Sequence, residues 1–198
     1  MKKNVTPWEI LNSTVSYQDR WLKVRSDQCR TQEGLVIEPY HVIESSTWVN
    51  VVALTTSGQV ILVREYRHGI QKVMLGLPGG GTEHKDSDPL QAIQRELREE
   101  TGYSSETFFK LGWSYPNAAN QNNIVWSFLA LDAIQSHPQD LDENENVEVV
   151  LQDFVEFSQQ AWQGKIDLQA MHLATLGWTT QFILRNPLPQ LRTLRLRM

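Results

Sequence analysis

Glu96, Glu99 and Glu100 stand at i, i+3 and i+4, a spacing that puts all three on one face of a helix. Carboxylates held that close repel one another, more so as they leave water. A cation among them removes the conflict. Mg2+, or Mn2+ in its place, is the fitting ion, because a hard cation prefers oxygen ligands and keeps waters that substrate phosphates can replace. The alternative is a solvated acidic face paired with Arg95 and Arg98. Against it stand three glycines just upstream, Gly79, Gly80 and Gly81, since glycine lets main-chain carbonyls and N–H groups come close to a ligand. Arg64 and Arg67 carry the planar donor fork that suits phosphate; salt bridges to Glu65 or to the glutamate segment are their other reading. The acidic run 142–148 reads on its own as an exposed polar loop.

These side chains need elements to place them. Asp88 suits a helix N-cap, Pro89 the first turn, Gln91 a capping box, and Gly102 a left-handed stop. A helix over 88–101 follows, with Leu90, Ile93 and Leu97 as its buried stripe. Apolar β-branched runs at 48–54 and 59–64 flank a Gly58-containing turn and predict a hairpin. Residues 8–45 read as short strands around Gly34, an N-terminal antiparallel ribbon too slight to stand alone. Further strands are expected at 126–131 and 147–150, and helices at 154–163 and 168–184 with Gly164 between. The segment from Asn186 onward, rich in arginine, reads as a loosely held end. The seven tryptophans are expected mainly in the core. The class is α+β, with helices flanking a mixed sheet. The organisation expected is a ribbon over 1–45, a main domain over 46–185 and a tail over 186–198.

Bulk properties exclude several functions. A net charge of −5 over 198 residues points away from general nucleic-acid binding and from membrane surfaces. The apolar runs are too short to span a bilayer, and the start lacks a secretory signal pattern. Cys29, the single cysteine, cannot form an internal disulfide, so a reducing, cytoplasmic setting is expected. The five histidines share no ligand spacing, and no Ser-His-Asp set, phosphate loop of the Walker kind or zinc pattern occurs.

The run PGGGTEHKDSDPLQAIQRELREETGY over 78–103 resembles the Nudix box. That pattern reads Gly, five residues, Glu, seven residues, Arg-Glu, an aliphatic residue, any residue, Glu-Glu, any residue, Gly and an aliphatic residue. Gly81, Arg95, Glu96, Leu97, Glu99, Glu100 and Gly102 fall in register, and Tyr103 takes the last place. Ser87 stands where the pattern has its first Glu, with Asp86 and Asp88 beside it as possible stand-ins toward Arg95. Outside the box, VREYR (63–67), LGLPGG (75–80) and Tyr115-Pro116-Asn117 are similar to the ADP-ribose and nucleoside-diphosphate-sugar pyrophosphatase branch, although Gly76 replaces that branch's usual Glu. The resemblance covers about 45–184.

The resemblance implies a Nudix-type α/β/α sandwich with a mixed sheet, and metal-dependent cleavage of a diphosphate linkage, ADP-ribose or an ADP-sugar giving AMP and a sugar phosphate. Glu96, Glu99, Glu100 and the Gly80 carbonyl would hold Mg2+ or Mn2+. Glu100, Glu99 and Arg95 would form the catalytic group, with Glu145 as general base and Glu148 as second choice. Arg64, Arg67, Pro116 and Glu148 would line the small-molecule nucleotide site. A homodimer through the ribbon is implied. Two alternatives stay open: a non-catalytic Nudix-like nucleotide-binding module, and a Nudix enzyme acting on NADH or coenzyme A.

Overall fold

The apolar runs around Gly58, whose φ of 81° is the left-handed conformation that glycine enters cheaply, form β4 (Trp48–Leu54) and β5 (Gln59–Arg67). The computed structural model describes residues 4–198; residues 1–3, part of the charged start, lie outside it. Ahead of the hairpin come β1 (Glu9–Gln18), β2 (Lys23–Arg30) and β3 (Val36–Glu44). After it follow β6 (Lys72–Gly76), β7 (Gly79–Gly81), α1 (Pro89–Thr101), β8 (Tyr103–Ser104), β9 (Thr107–Ser114), β10 (Val125–Leu131), β11 (Ile134–Gln135), β12 (Val147–Asp153), α2 (Phe154–Trp162), α3 (Ala170–Arg185) and α4 (Arg192–Arg197).

The chain divides into two units. The first joins the described residues up to 46 with 115–123. Its strands pair antiparallel in the order β1-β2-β3, and Ile43 N–H donates to the Asn120 carbonyl at 2.7 Å while the Tyr40 hydroxyl bonds the Ala119 carbonyl. Pro116 therefore belongs with the ribbon unit, not with the domain in which the sequence placed it. Among the described residues of the ribbon only Asp27 and Cys29 are buried.

The second unit is a seven-stranded mixed sheet, order β12-β5-β4-β10-β9, with β6 on β5 and β7 on β4. β10 runs parallel to β4 and the other pairings are antiparallel. Strand alternation splits the core in two. Val49, Val51, Ala53, Ile61 and Phe128 pack with Ala92, Ile93 and Leu97 of α1, while Val52, Leu54, Val60, Leu62 and Leu129 pack under α2 and α3 with Phe154, Phe157, Leu176 and Ile183. Helices on both sheet faces give the expected α+β sandwich.

β4 and β5 pair directly only at Ala53↔Ile61 and Leu54↔Val60. Beyond that they part, and β6 and β7 take up the freed edges. This parting lets the glycine strand β7 lie beside α1. A Cβ at Gly79, whose φ is 153°, would run into the Val49 carbonyl and Asn50, so only glycine fits there.

Three expectations change. Leu90 is exposed in the first turn of α1, and Ala92 takes its place in the stripe with Ile93 and Leu97. The tryptophans are mostly not core residues: Trp8, Trp21, Trp48, Trp113 and Trp162 are exposed, Trp178 is half-buried, and Trp126 is half-buried against the α1-side core. Smaller Val, Leu, Ile and Phe side chains fill the two thin layers between sheet and helices, where a large indole rarely fits whole. The C-terminal segment is anchored: after a short 3-10 turn at Pro189–Leu191, α4 buries Leu194 beside Leu191 in the α2–α3 core. Leu194→Ala leaves a cavity there and is expected to cost about 2–4 kcal/mol, read as a lowered midpoint in denaturant or thermal unfolding; an unchanged midpoint would mean that the C-terminal helix does not support the core.

Candidate active site

α1 starts as its cap residues dictate. The Asp88 carboxylate accepts from Gln91 N–H at 2.9 Å, while the Gln91 side chain accepts from Ser87 N–H at 2.5 Å, a capping box shifted by one residue. Gly102, at φ 73°, closes the helix with its N–H on the Arg98 carbonyl at 2.8 Å.

Arg95 is the hub. Its side chain is only 8% exposed and is engaged all round. Nε and Nη2 bond the two Asp86 oxygens at 3.2 and 3.0 Å, Nη2 also bonds the Gly81 carbonyl at 3.1 Å, and Nη1 faces Glu96, Glu99 and Glu83 at 2.9, 3.0 and 3.2 Å. Asp86 holds the guanidinium's charge most strongly, and its own carboxyl is held below the ordinary range, first by its bond to Arg95. Asp86 thus supplies an acidic partner for Arg95 next to Ser87, where the box has glutamate. The reading of the glutamates as a face paired with arginine is therefore realised for Glu96 and Glu99.

Glu100 is different. It is 7% exposed, its Oε2 accepts from Gly79 N–H at 2.9 Å, and among the described residues no basic side chain pairs with it. Burial pushes its carboxyl well up; the Gly79 N–H opposes this, and the charges of Glu96, Glu65 and Glu145 add to it. Burial likewise lifts Glu96 to about 7, against the pull of Arg95 and with the push of Glu99 and Glu145. Glu145 therefore lies near enough to Glu96, Glu100 and Glu65 to act on each.

Among the described residues no three His, Cys, Asp or Glu side chains stand in a ready-made metal-ligating group. The donor set nonetheless fits a hard divalent cation: oxygen ligands, two of them desolvated acids with a surplus of negative charge. Gly80 is part of that fit, since a Cβ there would stand 2.7–2.9 Å from the Glu96 carboxylate. The β4–β7 register turns the Gly80 carbonyl toward Val49 N–H, which leaves it one lone pair.

Strand alternation sorts the remaining candidates. Arg67 shares a face of β5 with Ile61, which packs against α1, and it forms an ion pair with Glu65. Arg64 and Glu148 sit opposite each other across β5 and β12 and pair at 2.8 Å. They lie on the other face with Leu62 and Leu75, which pack toward the α2–α3 core. The period of two in a strand thus puts Arg64 and Glu148 on the face of the sheet away from α1.

One neighbour escapes sequence reading altogether. His172 of α3 is buried, and its Nδ1 accepts from Leu77 N–H at 3.3 Å. A Cβ at Gly76 would stand 2.9 Å from the His172 ring, so the ring fills the space that the usual glutamate side chain would enter. Gly76 and His172 are halves of one contact, and no sequence spacing links residues that far apart.

The class of protein is set by a mixed sheet clasped by helices, with a glycine strand against a glutamate-bearing helix. The NUDIX domain model matches residues 47–170, and the chain belongs to the Nudix family. The model for the nucleoside diphosphate sugar hydrolase N-terminal domain matches residues 8–43. The chain is similar to the ADP-ribose pyrophosphatase of Bacillus subtilis (strain 168), 34% identical over 103 residues, 52% of this chain and 55% of that protein. It is also similar to the ADP-ribose pyrophosphatase of Mycobacterium tuberculosis (strain ATCC 25618 / H37Rv), 29% identical over 101 residues, 51% of this chain and 48% of that one. The matched region is about half the length of each of these curated relatives. In fold, the chain resembles the crystal structure of an ADP compounds hydrolase, with a TM-score of 0.78 at 20% identity over 92% of this chain and 97% of that one.

Burial, and secondarily the charge of Arg67, holds the His172 ring neutral with a pKa of about 3, below its ordinary 6.5. The unfolded chain therefore takes up this proton first. The stabilisation is full above pH 6.5 and is lost as pH falls from there toward 3, at up to about 1.4 kcal/mol per pH unit. His172→Gln is expected to flatten that limb when unfolding free energy is measured by denaturant from pH 7 to 4; an identical slope in both proteins would refute the assignment.

Proposed function

We propose that the chain hydrolyses the diphosphate linkage of a nucleoside diphosphate joined to a second moiety, ADP-ribose or an ADP-sugar first, giving AMP and a sugar phosphate. The observation that carries this reading is the pair of mutually repelling acids against the glycine strand, half-buried Glu96 and buried Glu100, with Glu145 within electrostatic reach of both. Glu96, Glu99, Glu100 and the Gly80 carbonyl would hold Mg2+ or Mn2+, which when bound would supply charge neutralisation for the diphosphate and a lowered pKa for water. Arg95 braces Glu96 and Glu99 so that the carboxylates keep their places. Glu145, on a loop and free of Arg64, is the base that takes the proton of the attacking water. Arg67 faces the substrate's phosphate oxygens. The similarity to ADP-ribose pyrophosphatases supports the choice of substrate over NADH or coenzyme A. A lone buried thiol, Cys29, agrees with a cytoplasmic setting, and among the described residues no helix is long and apolar enough to cross a membrane.

A second reading, a nucleotide-binding module without catalysis, draws on the Arg95 pairs that occupy Glu96 and Glu99. Hydrolysis of ADP-ribose with Mg2+ or Mn2+ separates the two. Glu100→Gln keeps shape and removes charge; turnover is expected to fall at least ~100-fold, the scale of losing one key electrostatic group, with product formation followed chromatographically. Near-normal turnover would end the assignment of Glu100.

The ribbon supports a homodimer. Trp8, Ile10, Val15, Tyr17, Trp21 and Leu22 are all exposed on it, an apolar surface that a single copy leaves in water. Light scattering is expected to give a dimer at micromolar concentration, with an interface above ~1,000 Å2, and a monomer once the ribbon is deleted. A full-length monomer would overturn this.

A further inference from the structure

Glu65 belongs to no part of the box, yet the fold brings it to the site. It follows Ile61 and Val63 on the α1-facing side of β5, with Arg67 next on the same side. Its backbone is fixed from both edges, opposite Val147 on β12 and Met74 on β6. Its side chain is 17% exposed, whereas that of its ion-pair partner Arg67 is 41% exposed. The acid is thus the sunken member of the pair and the guanidinium the outward one. The contrast on the opposite face is clear: Arg64 and Glu148 are 42% and 61% exposed, the kind of surface pair that orders little. Glu145 stands two residues before Val147, which faces Glu65, and the charges of Glu65, Glu100 and Glu145 act on one another.

We propose that Glu65 is a positioning residue, whose carboxylate holds the Arg67 guanidinium at the edge of the glutamate cluster so that it takes an oxygen of a bound nucleoside diphosphate. This rests on the function proposed above. A long arginine side chain near a strand end samples many rotamers, and a partly buried acid two residues away on the same face selects one. The ion pair engages Nη2, and a guanidinium carries five N–H donors in a fork, so donors remain for phosphate. Arg67 closes β5 on the α1-facing side, with Glu65 two residues before it, which makes its orientation a matter of substrate binding and not of the chemical step.

The test joins steady-state kinetics on ADP-ribose with Mg2+ to titration calorimetry on its non-hydrolysable α,β-methylene analogue. Glu65→Gln is expected to raise KM, and Kd for the analogue, about 10-fold, the usual weight of one charge-assisted hydrogen bond, with kcat within about 3-fold. Arg67→Ala should match it. The double variant should be no worse than either single one, since Glu65 acts through Arg67, and Glu65→Asp should recover part of the loss. Additive losses, a fall in kcat at unchanged KM, or wild-type binding in Glu65→Gln would each overturn the inference. If Glu65→Gln melts below assay temperature, Glu65→Asp against Arg67→Ala carries the comparison. A wild type that hydrolyses nothing defeats the proposed function while the calorimetric arm still decides the role of Glu65; a wild type that does not bind the analogue defeats both.

Discussion

One guanidinium, withdrawn from water to 8% exposure, underlies the arrangement of the site. Burying an unpaired arginine would be prohibitive, and withdrawing Asp86 and Glu96 from water without it would be costly as well. Asp86 and the Gly81 carbonyl hold one side of Arg95, and Glu96, Glu99 and Glu83 the other. The contact with Gly81 ties helix to glycine strand, so the two elements that bear the candidate ligands are set by the same residue. One positive charge cannot offset all the acids around it. The surplus falls on Glu100, which has the Gly79 N–H in place of a cation, and that deficit is the physical reason for expecting a metal there.

The backbone provides the room. Direct pairing of β4 and β5 lasts for two residue pairs, after which β6 and β7 enter from the sides. A strand of side-chain-bearing residues in place of Gly79–Gly81 would meet the β4 backbone at one position and the Glu96 carboxylate at the next. Behind the sheet, the hydroxyl of Thr175 on α3 bonds Asn50 and Ser127, and His172 bonds Leu77 N–H. The helix on the far face thus grips the same strands that carry the glycines.

Where a feature depends on local periodicity and capping, it was legible. Asp88, Pro89 and Gly102 mark α1 to within a residue, the Gly58 turn marks the hairpin, and Gly34 lies between β2 and β3. Of the candidate site residues, Glu96, Glu99 and Arg95 meet beside Gly80 and Gly81, Glu100 bonds Gly79, Glu145 acts on Glu96 and Glu100 through its charge, and Arg67 pairs with Glu65. Arg64 and Glu148 lie on the other face of the sheet, because neighbouring positions on a strand point to opposite faces and a motif written in one dimension cannot show which side α1 covers. Leu90 and the arginine-rich C-terminal segment depart from their sequence pattern for a related reason: helical spacing and composition describe what a segment is able to bury, not whether another element arrives to cover it.

The amino-acid sequence by itself determined the family of the fold, the helix that bears the acids and the glycines that must lie close to a ligand, because these follow from spacing along a few turns of chain. Only the tertiary structure decided which acids are paired and which are left in surplus, since Asp86 and Arg95 meet across a loop and Glu65, Glu100 and Glu145 come from three separate elements. It likewise decided the complement of Gly76, because the ring of His172 reaches it from a helix almost a hundred residues away. Desolvation, which lifts the Glu96 and Glu100 carboxyls, is a property of that assembled environment and not of any segment within it.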